Sequence, residues 1–296
     1  MFKDLLEKIK RKSQLEEYFN GSRKYRKKCK VVETEEKIYC YLKKGFIRKY
    51  PCGDEYIEFS VNRKMKNKPI INKPVVYVIK KLNRNFYRDL YIDGHINELI
   101  IKDSKLNLYG IDVLATEKIH NLTIENSIIK GSGYVDLDIK EEITIEKSTI
   151  FLEELLLKAK KINIIDSNLS LRDISFTKAM VKIKDTIIRA RNIICRIKSI
   201  KFEDPLSMLN STEKISLEIE EPSRVSISIP KEGEIICNGR KIEHTGGCIS
   251  LQTSAKREKQ ENELKVAIEP KNITTFELEI KNLFGRVLKR KYWIIN

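Results

Sequence analysis

Seven short segments of this 296-residue chain share one pattern. Each has two alternating apolar residues, a polar corner built mostly from Asp/Asn and Ser/Thr, then two more alternating apolar residues. The first apolar residues are Leu99, Leu122, Ile143, Ile162, Val181, Ile200 and Leu217, in steps of 23, 21, 19, 19, 19 and 17 residues. A period in this range marks a solenoid, in which each repeat buries its apolar face against its neighbours.

The middle coil shows the geometry. Ile162/Ile164, Leu169/Leu171 and Ile174/Phe176 alternate as three short pairs separated by polar corners. Period-two alternation means strand, because successive side chains point to opposite faces. The next coil repeats it with Val181/Ile183, Ile188/Ala190 and Ile193/Cys195, and the preceding one with Ile143/Ile145, Ile150/Leu152 and Leu155/Leu157. The earliest gives Leu99/Ile101, Leu106/Leu108 and Ile111/Val113; the second loses phase near Gly131 and Gly133 and resumes at Val135/Leu137. Helix is the competing reading, but the i, i+2 spacing and the β-branched Ile and Val argue against it. Over residues 90–226 the coil pattern resembles the parallel β-helix of pectin-lyase-like proteins. The resemblance implies a mainly β fold, a right-handed parallel β-helix of about seven coils. It rests on pattern alone and carries no activity with it.

Flanking segments complete the expected organisation. Residues 1–30 read as a basic amphipathic helix and linker, with Phe2, Leu5, Leu6 and Ile9 on one helical face and Asn20-Gly21-Ser22 ending it. Residues 31–89 hold short strand-like runs punctuated by Pro51, Pro69 and Pro74, and are expected to cap the first coil. Residues 227–296 change period. They are expected to form a small antiparallel β module, with a hairpin at Asn238-Gly239 and runs at Leu264/Val266/Ile268, Phe276/Leu278/Ile280 and Val287–Ile295.

Charge is large and uneven. The net charge is +16, with +9 in residues 1–50 and +6 in residues 151–200. No apolar run is long enough to cross a membrane as a helix. The N-terminus is too charged for a secretory signal, so a cytoplasmic location is expected. Abundant Ile and Lys, with glutamine only at Gln14, Gln252 and Gln260, fit a thermophile or a low-GC genome.

Candidate sites follow from these patterns. Asp103, Asn126, Asp166, Asp185 and Asp204 fall at one corner, before Ser104, Ser127, Ser167, Thr186 and Pro205, and Lys147 interrupts them. Turn chemistry explains such a row, since Asp and Asn bond local backbone and tolerate left-handed φ. The alternative is a catalytic or cation-binding row of Asp166, Asp185 and Asp204, because glycosidases use carboxylate pairs. A catalytic cluster needs unlike groups beside it, such as His, Arg or Lys at fixed coil positions, and no such combination stands out, although Arg172 or Arg191 could serve an enzyme of this kind. Polyanion-binding candidates are Arg23, Lys24, Arg26, Lys27 and Lys28 around Tyr25, and the late-coil residues Lys182, Arg189, Arg191 and Arg196. Arg172 and Arg191 share a corner, and Lys158 and Arg196 share another. A basic helix beside the cluster also suits an anionic membrane surface.

The six cysteines are Cys29, Cys40, Cys52, Cys195, Cys237 and Cys248, with no Cys-x-x-Cys. Cys195 falls at an inward position and is expected as a buried free thiol. Cys237, His244 and Cys248 are a weak metal pattern, and Cys237–Cys248 is a disulfide option in a hyperthermophile. No cofactor motif is present among the glycines or histidines.

The reading leads to a non-enzymatic solenoid scaffold that binds a protein partner or its own copies, in outline resembling bacterial cytoskeletal β-helix proteins. A polyanion (nucleic-acid) binder and a carbohydrate-active β-helix enzyme using the Asp row are the alternatives.

Overall fold

The computed structural model describes residues 2–20, 29–42, 47–49, 54–58, 65, 68–94, 96–110, 112–115, 118–253, 273–281 and 287–295. The protein is mainly β, a parallel β-helix of about seven turns, with a helix at Phe2–Asn20. Two compact units divide it, Met1–Glu142 and Ile143–Asn296.

In the first unit one sheet runs Cys29–Glu33, Ile38–Leu42, Val75–Lys80, Ile96–Lys102, Ile119–Glu125, parallel after the first pair. Its register stacks Cys40, Tyr77, Leu99 and Leu122, all buried. A second run stacks Asn83–Phe86, Lys105–Leu108 and Ile128–Gly131. A third stacks Glu55–Glu58, Leu90–Asp93, Asp112–Ala115 and Tyr134–Asp138. Coil pairing therefore includes residues 75–93, which the apolar pattern does not reveal. The reason is Arg84, which aligns with the inward Leu106. Its guanidinium pairs with the buried Glu55 at 2.8 Å and lies 5.3 Å from the Phe86 ring centroid.

The helix closes the end of this sheet. Leu15 and Phe19 are buried, and Phe19 meets Tyr77 edge-on at 6.3 Å. Leu5, Leu6 and Ile9 stay about half exposed, so the helix is seated by its last turns rather than by the apolar face near its start. At Gly131 φ is +149°, and a Cβ there would lie 1.8 Å from the Leu108 carbonyl oxygen. Only glycine fits so close a backbone approach. That is the cause of the phase loss, and Val135 and Leu137 resume register against Val113 and Ala115.

In the second unit a first sheet runs Glu142–Glu146, Lys161–Ile165, Met180–Lys184 and Ser199–Phe202. The other two apolar pairs of each coil lie on one long strand: Thr149–Lys158, Asn168–Thr177, Ile187–Ile197 and Met208–Ile219. Inward residues stack as Leu169–Ile188–Leu209, Ile174–Ile193–Ile215 and Phe176–Cys195–Leu217–Cys237. Leu217 thus does not open a seventh coil. It lies on the second sheet against Cys195, and its 17-residue step is not a coil length.

After Ser199–Phe202 the chain leaves the first sheet. Ser223–Ile229 pairs parallel with Met208–Ile219 and antiparallel with Gly247–Thr253. Glu234–Cys237 adds the last parallel strand, then turns antiparallel through Asn238 (φ 48°) and Gly239 (φ 79°). Two consecutive positive φ values are what the Asn-Gly hairpin turn requires. Ile273–Lys281 and Val287–Ile295 form an antiparallel hairpin. The run Leu264/Val266/Ile268 lies outside the described residues.

Candidate functional site

The corner row resolves into backbone chemistry. Lys81, Asp103, Asn126, Lys147, Asp166 and Asp185 all have φ between 45° and 57°. Asp and Asn tolerate this left-handed conformation better than most residues. Lys147 adopts it too, so the corner survives without a carboxylate. At this corner the N–H of residues 81, 103, 147 and 166 donates to a backbone carbonyl on the adjacent coil, as from Asp166 to Lys184. Asp185 instead donates to the Asp204 carboxylate at 2.6 Å. Asp204 also accepts from the amides of Leu206 and Ser207, both at 2.8 Å, and from the Ser207 hydroxyl. Burial pushes its carboxyl up, but these bonds outweigh burial and hold it below the usual carboxylate range. Asp204 therefore replaces a missing coil carbonyl where the chain departs through Pro205.

Beside this row runs a buried hydroxyl ladder. The amides of Leu82 and Ser104 donate to the hydroxyls of Ser104 and Ser127. In the second unit Ser148, Ser167 and Thr186 donate to Ser167, Thr186 and Ser207 at 3.0–3.1 Å. Each hydroxyl from Ser104 to Thr186 donates in turn to the carbonyl two residues back.

The described basic candidates lie on two different sheets. Lys182 lies on the first sheet, and Arg189, Arg191 and Arg196 on the long strand Ile187–Ile197. Arg23, Lys24, Arg26, Lys27 and Lys28 lie outside the described residues. Carboxylates face most of the late-coil cations: Lys182–Glu203 at 3.0 Å, Arg191–Glu213 at 2.6 Å and Arg196–Glu218 at 3.7 Å. Arg189 donates to the Asn168 side-chain oxygen at 3.3 Å. Arg172 and Arg191 do share a corner, flanking the paired Asp173 and Asn192. Arg172 holds Asp173 and Glu153, both at 2.9 Å. Hydrogen bonds to Asp173 and Glu213 raise the pKa of Arg172 and Arg191 respectively, so carboxylates dominate the like-charge neighbour. The sequence held the signal: a glutamate stands about one coil length after each of Lys182, Arg191 and Arg196.

Among the described residues, no three His, Cys, Asp or Glu gather to hold a metal ion. His244 accepts from the Gly246 amide through Nδ1 and reaches the Gly233 carbonyl through Nε2, each at 3.0 Å. Cys237 and Cys248 are free thiols rather than a disulfide, and their strands pair with different neighbours. Burial pushes the Cys195 thiol up to about 12 and Cys237 to about 11. Cys52 lies outside the described residues.

Open grooves occur among the described residues. One, about 790 Å³, lies between the helix and Cys29–Glu33, where Glu33 meets Arg11 at 3.2 Å and Lys73 at 3.4 Å. Another, about 640 Å³, is lined by residues 199–205, Glu221 to Arg224, Ser226 and Ser250. Asp204 touches it, but with both oxygens committed to hydrogen bonds.

Sequence reading missed two exterior features. Tyr87 and Tyr109 stack at 5.3 Å and 14° at one corner of the first unit. On the second unit, outward residues form three straight rows. The central row is Leu156, Ser175, Ile194, Ser216, Ile236. Its flanks are Glu154, Asp173, Asn192, Lys214, Glu234 and Lys158, Thr177, Arg196, Glu218. The signal was present as the residue between the two inward members of each alternating pair.

No protein-family model, curated protein or solved structure matches this chain.

Proposed function

We propose that this chain is a non-enzymatic β-solenoid scaffold that binds proteins, its own copies included, through the coil exterior. The supporting observation is the continuous register from Leu156 to Ile236, which sets outward side chains in straight rows across successive parallel strands. Such a face is rigid before binding, so association loses little conformational entropy. The commitment of Asp166, Asp185 and Asp204 to corner geometry also favours a structural role over a catalytic one. The antiparallel strands beyond Ile38–Leu42 and Glu234–Cys237 argue against growth by strand addition at those edges.

The net charge of +16 favours a second reading, binding of nucleic acid through Arg23 to Lys28 with Arg189. Titration of labelled single- and double-stranded DNA and RNA over a salt series separates the two. The scaffold reading expects no submicromolar binding at low salt. Submicromolar binding that weakens steeply with salt overturns it. So does polysaccharide cleavage that a folded Asp185→Asn variant loses.

A further inference from the structure

The three outward rows of the second unit are complementary to themselves. The central row alternates large and small: Leu156, Ser175, Ile194, Ser216, Ile236. Ile194 is 36% exposed, and Leu156 and Ile236 are partly exposed. Coil strands are spaced about 4.8 Å, and sheets packed face to face lie about 10 Å apart.

Consider a second copy laid on this face, with its strands stacked in the opposite order. A two-fold axis along the strand direction makes each row face itself in reverse. Placing the axis between Asn168–Thr177 and Ile187–Ile197 sets Leu156 against the copy's Ser216, and Ser175 against its Ile194. Leu156 and Ile194 then each meet a serine, and Ile236 lies beyond the overlap. The same register sets Lys158 against Glu218, Glu154 against Lys214, Thr177 against Arg196 and Asp173 against Asn192. None of these pairs joins like charges. Shifting the copy by one strand sets Arg196 against Arg196 and Glu154 against Glu234. Shifting it by two sets Asp173 against Glu234. One register therefore satisfies shape and charge together, although the cations and carboxylates were not selected to make the rows.

We infer that this face, centred between Ser175 and Ile194, is a homodimer interface in that one antiparallel register. It deepens the scaffold reading and rests on it, with a second copy as the partner. The four overlapping strands by five residues give a footprint of about 300 Å² of flat area per protomer. That is small beside stable interfaces, so a weak dimer that forms as concentration rises is expected. Charged pairs at its rim would set register more than affinity.

The test is sedimentation velocity of the full chain over a concentration series, with circular dichroism to confirm folding. The wild type is expected to dimerise reversibly. Lys158→Glu sets carboxylate against Glu218, and Glu218→Lys sets ammonium against Lys158. Each is expected to weaken the dimer at least about tenfold, since two symmetric contacts change at once. The double variant Lys158→Glu with Glu218→Lys restores both pairs and is expected to recover the dimer. A monomer at all concentrations overturns the inference, as does a dimer that neither single variant weakens. Loss without recovery in the double variant also overturns it, because a same-direction copy would set Glu154 against residue 158 and Lys214 against residue 218. A monomer that binds no nucleic acid sinks only this interface and leaves a heterotypic scaffold standing. Salt-steep nucleic-acid binding sinks the scaffold reading whatever the oligomeric state.

Discussion

Ser167→Ala is the most direct probe of what holds the coils in register. The Ser167 hydroxyl accepts from the Ser148 amide at 3.1 Å and donates to the Ile165 carbonyl at 2.7 Å. Ser167 is 8% exposed and Ser148 3%. Alanine removes the acceptor and leaves the Ser148 N–H buried. A lost hydrogen bond costs about 1 kcal/mol net, and an orphaned buried donor about 1–3 kcal/mol. Because alanine is slightly easier to bury than serine, we expect about 2–3 kcal/mol in total. Local opening at Ser148 should then rise roughly 30- to 160-fold. Urea unfolding followed by circular dichroism gives the first quantity, and amide hydrogen exchange at Ser148 the second. Two controls bracket the result. Ser167→Thr keeps the hydroxyl, as Thr186 does one coil on, and should cost less than about 1 kcal/mol. Ser170→Ala, on the outward face, should stay within about 0.5 kcal/mol of wild type. If Ser167→Ala matches Ser170→Ala, or Ser148 exchange is unchanged, the hydroxyl ladder does not contribute as argued.

Gly131→Ala puts a Cβ 1.8 Å from the Leu108 carbonyl oxygen, and should lower the thermal midpoint sharply, by about 3 kcal/mol or more of stability. Phe176→Ala empties a fully buried site between Leu157 and Cys195 and should cost about 3–5 kcal/mol in urea. The folded-state pKa values of Asp204 and Asp173 are depressed, by hydrogen bonds that outweigh burial. Their stabilisation is therefore present above the unfolded carboxylate value, about pH 4, and is lost as pH falls through the lower folded values. Asp204→Asn should flatten the acid limb of a stability–pH profile, and an unchanged limb would refute that role. Cys195 and Cys237, raised to about 12 and about 11, should resist alkylation at neutral pH until the chain unfolds, which mass spectrometry of labelled peptides can read.

The coil follows from the amino-acid pattern alone. Alternating Ile, Leu and Val can bury one face only as strands, and a 19-residue return distance aligns like with like. Ile162, Val181 and Ile200 could be placed on one sheet from spacing alone, and the structure stacks them. The Asn238-Gly239 hairpin was legible for the same kind of reason, a local rule about φ. The residue 75–93 coil was not legible, because Arg84 occupies an apolar position and becomes tolerable only beside Glu55, 29 residues earlier in the chain. Leu217 misled in the opposite way. It obeys the apolar pattern, but pattern does not say which sheet a strand joins, and pairing with Cys195 decided that. The Asp row showed where the corners are, yet its meaning depended on φ and on hydrogen bonds between coils. Tertiary structure alone revealed that Asp204 is a substitute carbonyl and which glutamate, of Glu203, Glu213 and Glu218, meets which basic residue. Spacing along a chain encodes what a residue's own backbone must do. Which residues meet across coils depends on strand pairing, and strand pairing is set only when the whole coil closes.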